Sequence, residues 1–400
     1  MAGQYGERRC ARQNDSQPEK LFKDLSGGGS SDYRYSSHLK RITRMFMKVF
    51  LLMSKMVLFC VLQLLVPYLR RINWPAIIAI NAGSSSDAAR YATSWVAKYT
   101  RKERFYPIGF YRISWRQFAL VLGTPYSNME LKTNQTLMQS LVSDLSGWRA
   151  KRITLTGIMT AYSIRHDAFP EKDPRFTSGS YGTPLLIKIN IEEIFDRHPE
   201  LKSQPIGIIG FGFTGRKVAA YLSRFYEVRA FDLVSPDQQP DYCEFSTHPD
   251  ILSECGINVL LTIEGNSGVE TVLNYVQTGS AILADTHPKV DLAHWAMLKD
   301  KGVIGYECGT RYGQGIYFPK LPRWGRYNLQ GCVMQAVIES QSNLIPLNQH
   351  EFDDLAKRSP LRSVIETPYN RFTLSHSVSI KKASSLARLF SWFRSLMYVS

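Results

Sequence analysis

The amino-acid sequence predicts an α/β protein with a doubly wound parallel sheet, a second and smaller α/β domain, and a basic, apolar helix near the amino terminus. Two observations indicate the doubly wound sheet. From residue 199 onwards, short apolar runs alternate with helical patterns, as in chains whose parallel strands are joined by crossover helices. The first of these apolar runs leads directly into three spaced glycines at the start of a helix.

Composition divides the 400 residues into five predicted segments. Residues 1–39 form a flexible polar leader, and residues 40–74 form the basic apolar helix. Residues 75–198 form the second domain, which would hold a substrate. Residues 199–310 form the doubly wound domain. Residues 311–400 return to the second domain and end in a basic amphipathic tail.

Charge is concentrated at the two ends of the chain. The net charge is +15, with 18 Lys or Arg against 7 Asp or Glu in residues 1–104, and 8 against 3 in residues 353–400. The residues between these ends are close to neutral and globular in composition. Basic ends favour an anionic partner, either a membrane surface or a nucleic acid. Because no nucleic-acid recognition motif accompanies them, we prefer the membrane surface.

Two features bear on the location of the protein in the cell. Residues 49–69 are apolar apart from Lys55 and are about long enough to span a bilayer. Three interpretations stay open: a transmembrane helix, an interfacial helix, and a helix buried in an N-terminal domain. The six cysteines lack the spacing of metal ligands or of a disulfide framework, so we expect no metal and a reducing compartment. The predicted location is the cytoplasm, with or without membrane association.

The second domain shows a mixture of patterns. Apolar residues recur at helical spacing over residues 134–148, which predicts a helix. The apolar run at residues 153–160 predicts a strand. An amphipathic helix is predicted over residues 183–197, and a His-Pro pair ends it.

Three glycines follow the first apolar strand of the doubly wound domain. Gly210 permits a tight turn, Gly212 lets the backbone approach a pyrophosphate, and Gly215 lets the next helix pack closely on the strand. Phe213 and Thr214 lie between the last two glycines, at the start of that helix. Its free N–H groups and positive dipole would bind phosphate there.

The predicted partner of this turn is NAD. Asp232 ends the second strand, 22 residues after Gly210, where a carboxylate accepts hydrogen bonds from ribose hydroxyls. The same carboxylate would repel the 2′-phosphate of NADP, which makes NADP the weaker candidate.

A second turn is expected to contact the cofactor. It follows the predicted strand at residues 257–262 and lies at a carboxyl end, where open α/β sheets bind their ligands. We expect Thr262, Glu264, Gly265 and Asn266 to line the cofactor site.

The residues of this domain resemble two groups of NAD enzymes. Residues 206–219 look like the cofactor domain of D-2-hydroxyacid dehydrogenases. Residues 262–266 and 279–284, together with His287 and Asp291, are more similar to the cofactor domain of adenosylhomocysteinase. Both resemblances imply an NAD-binding Rossmann domain. The catalytic Lys and Asp of the second group and the catalytic Arg of the first do not stand at the matching positions, so neither reaction is carried over.

A third resemblance is to aldehyde-forming acyl carrier protein reductases. It is carried by residues 175–179 and by Cys332 on a helix after the cofactor domain. The resemblance implies a cysteine nucleophile that takes a fatty acyl group from a thioester. Those relatives generally use NADPH, whereas Asp232 favours NAD.

Two residues are candidates for catalysis. His287 follows a strand at the edge where nicotinamide would lie, and the pKa of histidine suits a general acid or base. The alternative is a histidine that faces solvent or packs against the cofactor. Cys332 would act as a thiolate nucleophile. The alternative is a buried cysteine with no chemical role.

These observations predict an NAD(P)-dependent oxidoreductase that transfers a hydride to or from a carbonyl or alcohol carbon, with acyl-thioester reduction as one version. The alternative is a non-catalytic NAD-binding module tethered to a membrane or a partner, because no family's catalytic set is complete. The expected partners are a small-molecule substrate and a membrane surface. A homo-oligomer is also compatible with the sequence.

Overall fold

The computed structural model describes residues 61–62, 65–82, 105–318, 327–342 and 344–369. The predicted polar leader, most of the predicted amino-terminal helix and the basic tail after residue 369 lie outside these ranges. Among the described residues, no helix has both the length and the apolar character needed to cross a bilayer.

The first of two six-stranded sheets is mixed. Its strands are β1 (Trp74–Ala82), β2 (Tyr106–Arg112), β3 (Phe118–Ser127), β4 (Ala150–Leu155), β5 (Phe176–Thr177) and β13 (Ile316–Phe318). Their order in the sheet is β13-β2-β3-β1-β4-β5. β1, β3, β4 and β5 run parallel, whereas β2 pairs antiparallel with both β3 and β13. The second α/β region that the sequence predicts is therefore confirmed, and its sheet is mixed rather than parallel.

Four short helices accompany this sheet, namely α1 (Val66–Leu69), α2 (Asn128–Thr133), α3 (Gln135–Ser146) and α4 (Ile158–Arg165). The predicted helix over residues 134–148 is confirmed as α3, and the Asn134 side chain caps it by accepting the Leu137 N–H. The predicted strand over residues 153–160 is wrong at its end. Gly157 turns the chain at a φ of 58°, a conformation that favours glycine, and α4 begins at the next residue.

The second sheet is fully parallel. Its strands are β6 (Ile206–Ile209), β7 (Val228–Phe231), β8 (Glu244–Ser246), β9 (Ile257–Leu260), β10 (Ala281–Ala284) and β11 (Ile304–Glu307). Their order is β11-β10-β9-β6-β7-β8, so the chain winds outward from β6 in both directions. This is the strand order of the Rossmann fold. The predicted doubly wound sheet is confirmed.

Three helices follow strands of the second sheet, namely α6 (Phe213–Leu222), α7 (Gly265–Val272) and α8 (Leu292–Asp300). Asp291 caps α8, because its side chain accepts the His294 N–H. The strands of the second sheet are short, and all four residues of β6, β9 and β10 are buried. Such continuous apolar runs are typical of parallel strands covered on both faces.

Two long helices join the sheets. α5 (Gly182–Arg197) runs from the first sheet to the second, and α9 (Gly331–Gln341) follows the second sheet and packs on β1, β4 and α5. One continuous apolar core includes side chains from both sheets and both helices, among them Ile78, Leu186, Ile208 and Val337. The remaining described elements are β12 (Thr310–Tyr312), α10 (Gln349–Lys357) and β14 (Leu361–Ser363).

Candidate functional site

A crevice lies where the carboxyl ends of β6, β9 and β10 face α4 and the start of α9. The strand order reverses between β6 and β9, since β7 and β8 lie on one side of β6 and the later strands lie on the other. Open α/β sheets bind ligands at such a switch point. The crevice is lined by Gly157, Ile158, Thr160, Ala161, Ser178, Thr183, Phe213, Thr214, Leu261, Thr262, Ile263, Asp285, Thr286, His287, Gln330, Gly331 and Cys332.

The three glycines after β6 form a tight turn against α6. Gly210 adopts a φ of 95°, which side-chain-bearing residues rarely adopt. A Cβ atom on Gly215 would lie 1.9 Å from the carbonyl oxygen of Gly210, so α6 can approach the turn this closely only at a glycine. A Cβ atom on Gly212 would meet no heavy atom within 4 Å, so the backbone there faces open space. The turn therefore packs closely on α6 at Gly215 and is open at Gly212.

Four helices begin at the crevice. The first residues of α4, α5, α6 and α9 contribute to its lining, and Phe213 and Thr214 do so from α6. Gly212, the cap residue of α6, has no side chain that could satisfy the first N–H groups. Helix amino termini carry partial positive charge, and their uncapped N–H groups are hydrogen-bond donors, so the crevice favours anionic groups beside the start of α6.

Asp232 lies beside the glycine turn. It follows β7 and is half-buried. One carboxylate oxygen accepts the Phe211 N–H at 2.6 Å, and the other accepts the Val234 N–H at 3.3 Å. A carboxylate has about four acceptor positions, so these two bonds fix its orientation and leave capacity for further donors.

The turn after β9 contributes less to the crevice than expected. Thr262 lines it, and its hydroxyl donates to the carbonyl oxygen of Glu264 at 2.9 Å. Glu264 itself is exposed and precedes α7. Gly265 is buried, and the Asn266 side chain makes two hydrogen bonds of 3.0 Å with Asp291, one to its N–H and one to its carboxylate. In this structure Glu264, Gly265 and Asn266 lie outside the crevice lining, and their contact with a cofactor stays a prediction.

The segment after β10 brings two titratable side chains into the crevice. His287 is half-buried there, at the strand end where the sequence places it. Burial raises the pKa of Asp285 to about 6, and the ammonium group of Lys289 opposes part of that rise. Lys289 in turn pairs with the buried Glu307 at 2.5 Å. Thr286 stands between Asp285 and His287 in the sequence and is buried. Its hydroxyl has no hydrogen-bond partner among the described residues. Groups that titrate near neutral pH in a crevice are candidates for proton transfer.

Cys332 lines the opposite wall of the crevice, in the first turn of α9. Burial, together with the negative charge of Asp285, raises the pKa of its thiol to about 12. The N–H groups of Gly157 and Val333 and the hydroxyl of Thr154 act in the opposite direction, but burial outweighs them. The thiol is therefore protonated at neutral pH, whereas a cysteine nucleophile must be a thiolate.

A buried polar chain supports the first turns of α5 and α9. Gln335 accepts the N–H groups of Tyr181 and Gly182, both at 3.0 Å, and so caps α5. Its amide donates to Glu339 at 2.8 Å, and Glu339 accepts a hydrogen bond of 2.9 Å from Arg152 on β4. Burial raises the pKa of Glu339, although its bonds to Gln335 and Arg152 lower it.

Sequence reasoning missed the wall that the first sheet and its helices supply. Thr160, Ser178, Thr183 and Gln330 line the crevice and were not expected there. Each lies close to a glycine at which a helix begins or two segments meet. A Cβ atom on Gly182, for example, would lie 2.1 Å from the carbonyl oxygen of Gly331. Glycines next to the starts of helices were therefore the signal in the sequence that could have indicated this wall.

Comparison with known proteins gives similarity to solved structures alone. No protein-family model matches the chain, and no curated protein matches it. Among solved structures, L-tryptophan dehydrogenase from Nostoc punctiforme is similar with a TM-score of 0.33 and 13% identity, over 59% of this chain and 70% of that one. D-lactate dehydrogenase with NAD+ from Lactobacillus jensenii is similar with a TM-score of 0.26 and 13% identity, over 57% of this chain and 77% of that one.

A third similar structure is a D-isomer specific 2-hydroxyacid dehydrogenase family protein from Klebsiella pneumoniae 342. Its TM-score is 0.29 at 14% identity, over 69% of this chain and 97% of that one.

Proposed function

We propose that the chain binds NAD in the crevice and catalyses hydride transfer between the cofactor and a carbonyl or alcohol carbon of a small molecule. The observation that carries this proposal is the position of the glycine turn. Gly210 and Gly212 lie at the switch point of a doubly wound sheet, directly before α6, and Gly215 lies in the first turn of that helix.

The residues present fit a dinucleotide. The open space beside Gly212 admits a pyrophosphate, and the first N–H groups of α6 supply donors for it. Asp232 lies at the end of the neighbouring strand with acceptor capacity for ribose hydroxyls. Its negative charge supports NAD rather than NADP, because a 2′-phosphate would be repelled there.

The cofactor would supply the hydride chemistry, and the chain would position it and move the proton. His287 and Asp285 are the two groups that support proton transfer, because both line the crevice after β10. The pKa of Asp285, raised to about 6, lies near the range in which a general acid or base works best at neutral pH. We propose His287 as the proton-transferring residue, and Asp285 is the alternative that the pKa supports.

The acyl-thioester version of the reaction has weaker support. It needs Cys332 as a thiolate, and burial keeps that thiol protonated. The second candidate function is a module that binds NAD without turnover, and its support is that the chain holds no complete catalytic set of the families it resembles. A substrate screen with aldehydes, hydroxy acids and acyl thioesters separates an enzyme from such a module.

Titration of the full chain with NADH and NADPH, followed by nucleotide fluorescence, tests the proposal. We expect NADH to bind more tightly than NADPH. Asp232→Asn should weaken NADH binding by roughly tenfold or more, since hydrogen bonds to a charged group contribute about 1.5–3 kcal/mol. The same change should reduce the difference in affinity between NADH and NADPH. Asp300→Asn is the matched control, because this exposed carboxylate ends α8. Absence of binding by either nucleotide would refute the proposed function.

A further inference from the structure

One end of the first sheet carries exposed apolar side chains. It is the end at which β1, β3 and β4 begin, opposite the crevice, and the β2–β3 turn closes it. Trp115, at the tip of that turn, is 75% exposed, and Phe318 on the edge strand is 59% exposed. We define the aromatic edge as the exposed residues Tyr68, Ile72, Trp115, Phe118 and Phe318.

A groove on the outer face of the sheet extends the aromatic edge. Phe110, Arg112, Phe118, Ile316 and Phe318 line it. The strand register explains this grouping, because Ile316 pairs with Arg112 and Arg112 pairs with Phe118. The alternate residues of the same strands, such as Tyr111 and Tyr317, point into the core. The strands here are therefore apolar on both faces, and one of those faces is open.

Basic side chains predominate around the aromatic edge. The basic residues in and beside these strands that are not buried are Arg70, Arg71, Arg112, Arg116, Arg149 and Lys151. Arg152 on β4 is buried and paired with Glu339. The sequence has no Asp or Glu in residues 65–82, 105–127, 147–155 and 310–318, which supply this end of the sheet. The nearby Asp144 on α3 is paired with Arg70 at 2.7 Å. The Arg116 guanidinium lies 3.9 Å from the centre of the Trp115 ring, so a cation and an exposed apolar ring share the tip of the turn.

The apolar segment of the sequence reaches the same end. Residues 49–69 hold a single charge, and their last residues form α1, which leads directly into β1. Tyr68 is 66% exposed, although the neighbouring Val66 and Leu69 are buried. The Arg149 N–H donates to the carbonyl oxygen of Arg70, which holds this segment against the start of β4. Tyr68 and Ile72, at and just after the end of the apolar segment, are therefore exposed at the end of the sheet where β1 and β4 begin.

We propose that the aromatic edge is a docking surface for an anionic lipid bilayer. Tryptophan, tyrosine and other large apolar side chains enter the interfacial region of a bilayer, and the surrounding arginines attract its anionic headgroups. A nucleic acid would also attract these arginines. Two observations favour lipid: the exposed apolar side chains are large, and the apolar sequence of residues 49–69 runs directly into this part of the chain. Because the crevice lies at the opposite end of the strands, its substrate arrives from the aqueous side.

Cosedimentation of the full chain with lipid vesicles tests the proposal. The probes are vesicles of phosphatidylcholine alone and vesicles that also contain phosphatidylserine. We expect binding to the second kind, weakened by added salt. Arg116→Ala should weaken it about fivefold, as expected for one basic side chain near an anionic surface. Trp115→Ala should weaken it as well.

Two exposed residues away from the aromatic edge give matched controls. Lys357→Ala removes a cation from the end of α10, and Leu347→Ala removes an exposed apolar side chain that precedes it. Both controls should bind vesicles like the unchanged chain, and all four variants should keep its unfolding midpoint. Equal binding by the edge variants and the controls would overturn the proposal, as would failure of the unchanged chain to bind anionic vesicles. Tighter binding to a single-stranded oligonucleotide, weakened by the same edge variants, would overturn it in favour of a nucleic acid.

Discussion

The guanidinium Nε of Arg152 lies 2.9 Å from a carboxylate oxygen of Glu339, and both side chains are buried. Arg152 belongs to β4 and Glu339 to α9, so the pair fixes α9 against the first sheet. The other carboxylate oxygen of Glu339 accepts from Gln335, which caps α5. This polar chain therefore positions the two helix amino termini that form one wall of the crevice.

Breaking this pair should strongly destabilise the protein. We expect Glu339→Leu to lower the free energy of unfolding by about 3–5 kcal/mol, because Arg152 would be left buried without a counter-charge. The double variant with Arg152→Met should recover much of that loss. Denaturant unfolding measures both changes.

An exposed pair provides the comparison. Glu193 and Arg197 form an i, i+4 pair on the surface of α5, and Glu193→Ala should cost no more than about 0.5 kcal/mol. If Glu339→Leu lowered the free energy of unfolding by as little as Glu193→Ala, the polar chain of Arg152, Glu339 and Gln335 would not be what positions the crevice wall.

Two glycines of the same turn should respond to alanine in different ways. Gly212→Ala adds a methyl group in open space at a φ of −72°, so the unfolding midpoint should stay unchanged while NADH affinity falls. Gly215→Ala places a methyl group against the Gly210 carbonyl and should cost about 1–3 kcal/mol or more of stability. Nucleotide titration and thermal unfolding of both variants test this contrast. Loss of stability without loss of binding in Gly212→Ala would contradict it.

The pKa of Asp285 predicts a pH dependence of stability. Because burial raises that pKa from 3.8 to about 6, the folded protein holds this proton more tightly than the unfolded chain does. The contribution of Asp285 to stability therefore falls as the pH rises from about 4 to about 6, by at most about 3 kcal/mol. Asp285→Asn removes that contribution.

Unfolding measurements at pH 4 and pH 7 test this dependence. The gain in stability of Asp285→Asn over the unchanged chain should be larger at pH 7. Asp300→Asn, at an exposed position, is the matched control. A difference that does not vary with pH would mean that the Asp285 carboxylate is better solvated than its place in the crevice indicates.

The doubly wound sheet could be predicted because its signals are local. Each strand is a short apolar run, and the glycines after β6 must stand where the backbone turns. The first sheet is harder to predict, since β13 joins it from a position about 200 residues beyond β2. The strand predicted over residues 153–160 shows the limit of periodicity. Its apolar pattern continues into α4, and only the backbone of Gly157 separates the two elements.

The candidate site likewise contains residues that the sequence could predict and residues that it could not. Thr214 and His287 follow strands of one sheet and both line the crevice, so their convergence could be inferred from strand order. Gly212 and Asp232 also follow strands of that sheet, but they lie outside the crevice lining. Gln330 reaches the crevice through packing between segments distant in sequence, which periodicity does not reveal. Asn266 lies in the expected turn, but its side chain holds Asp291 instead of facing the crevice. Sequence spacing predicts the position of a residue better than the direction of its side chain.

Cys332 decides between the versions of the reaction. Since burial raises its pKa to about 12, we expect Cys332→Ala to keep NADH binding and to keep any turnover that the substrate screen reveals. Removing a true nucleophile lowers turnover by several orders of magnitude, so steady-state rates distinguish the two cases. Cys243→Ala is the matched control, because Cys243 is also half-buried and lies outside the crevice lining. If Cys332→Ala alone abolished turnover while NADH still bound, the bound substrate would have to lower that pKa, and acyl-thioester reduction would become the favoured reaction.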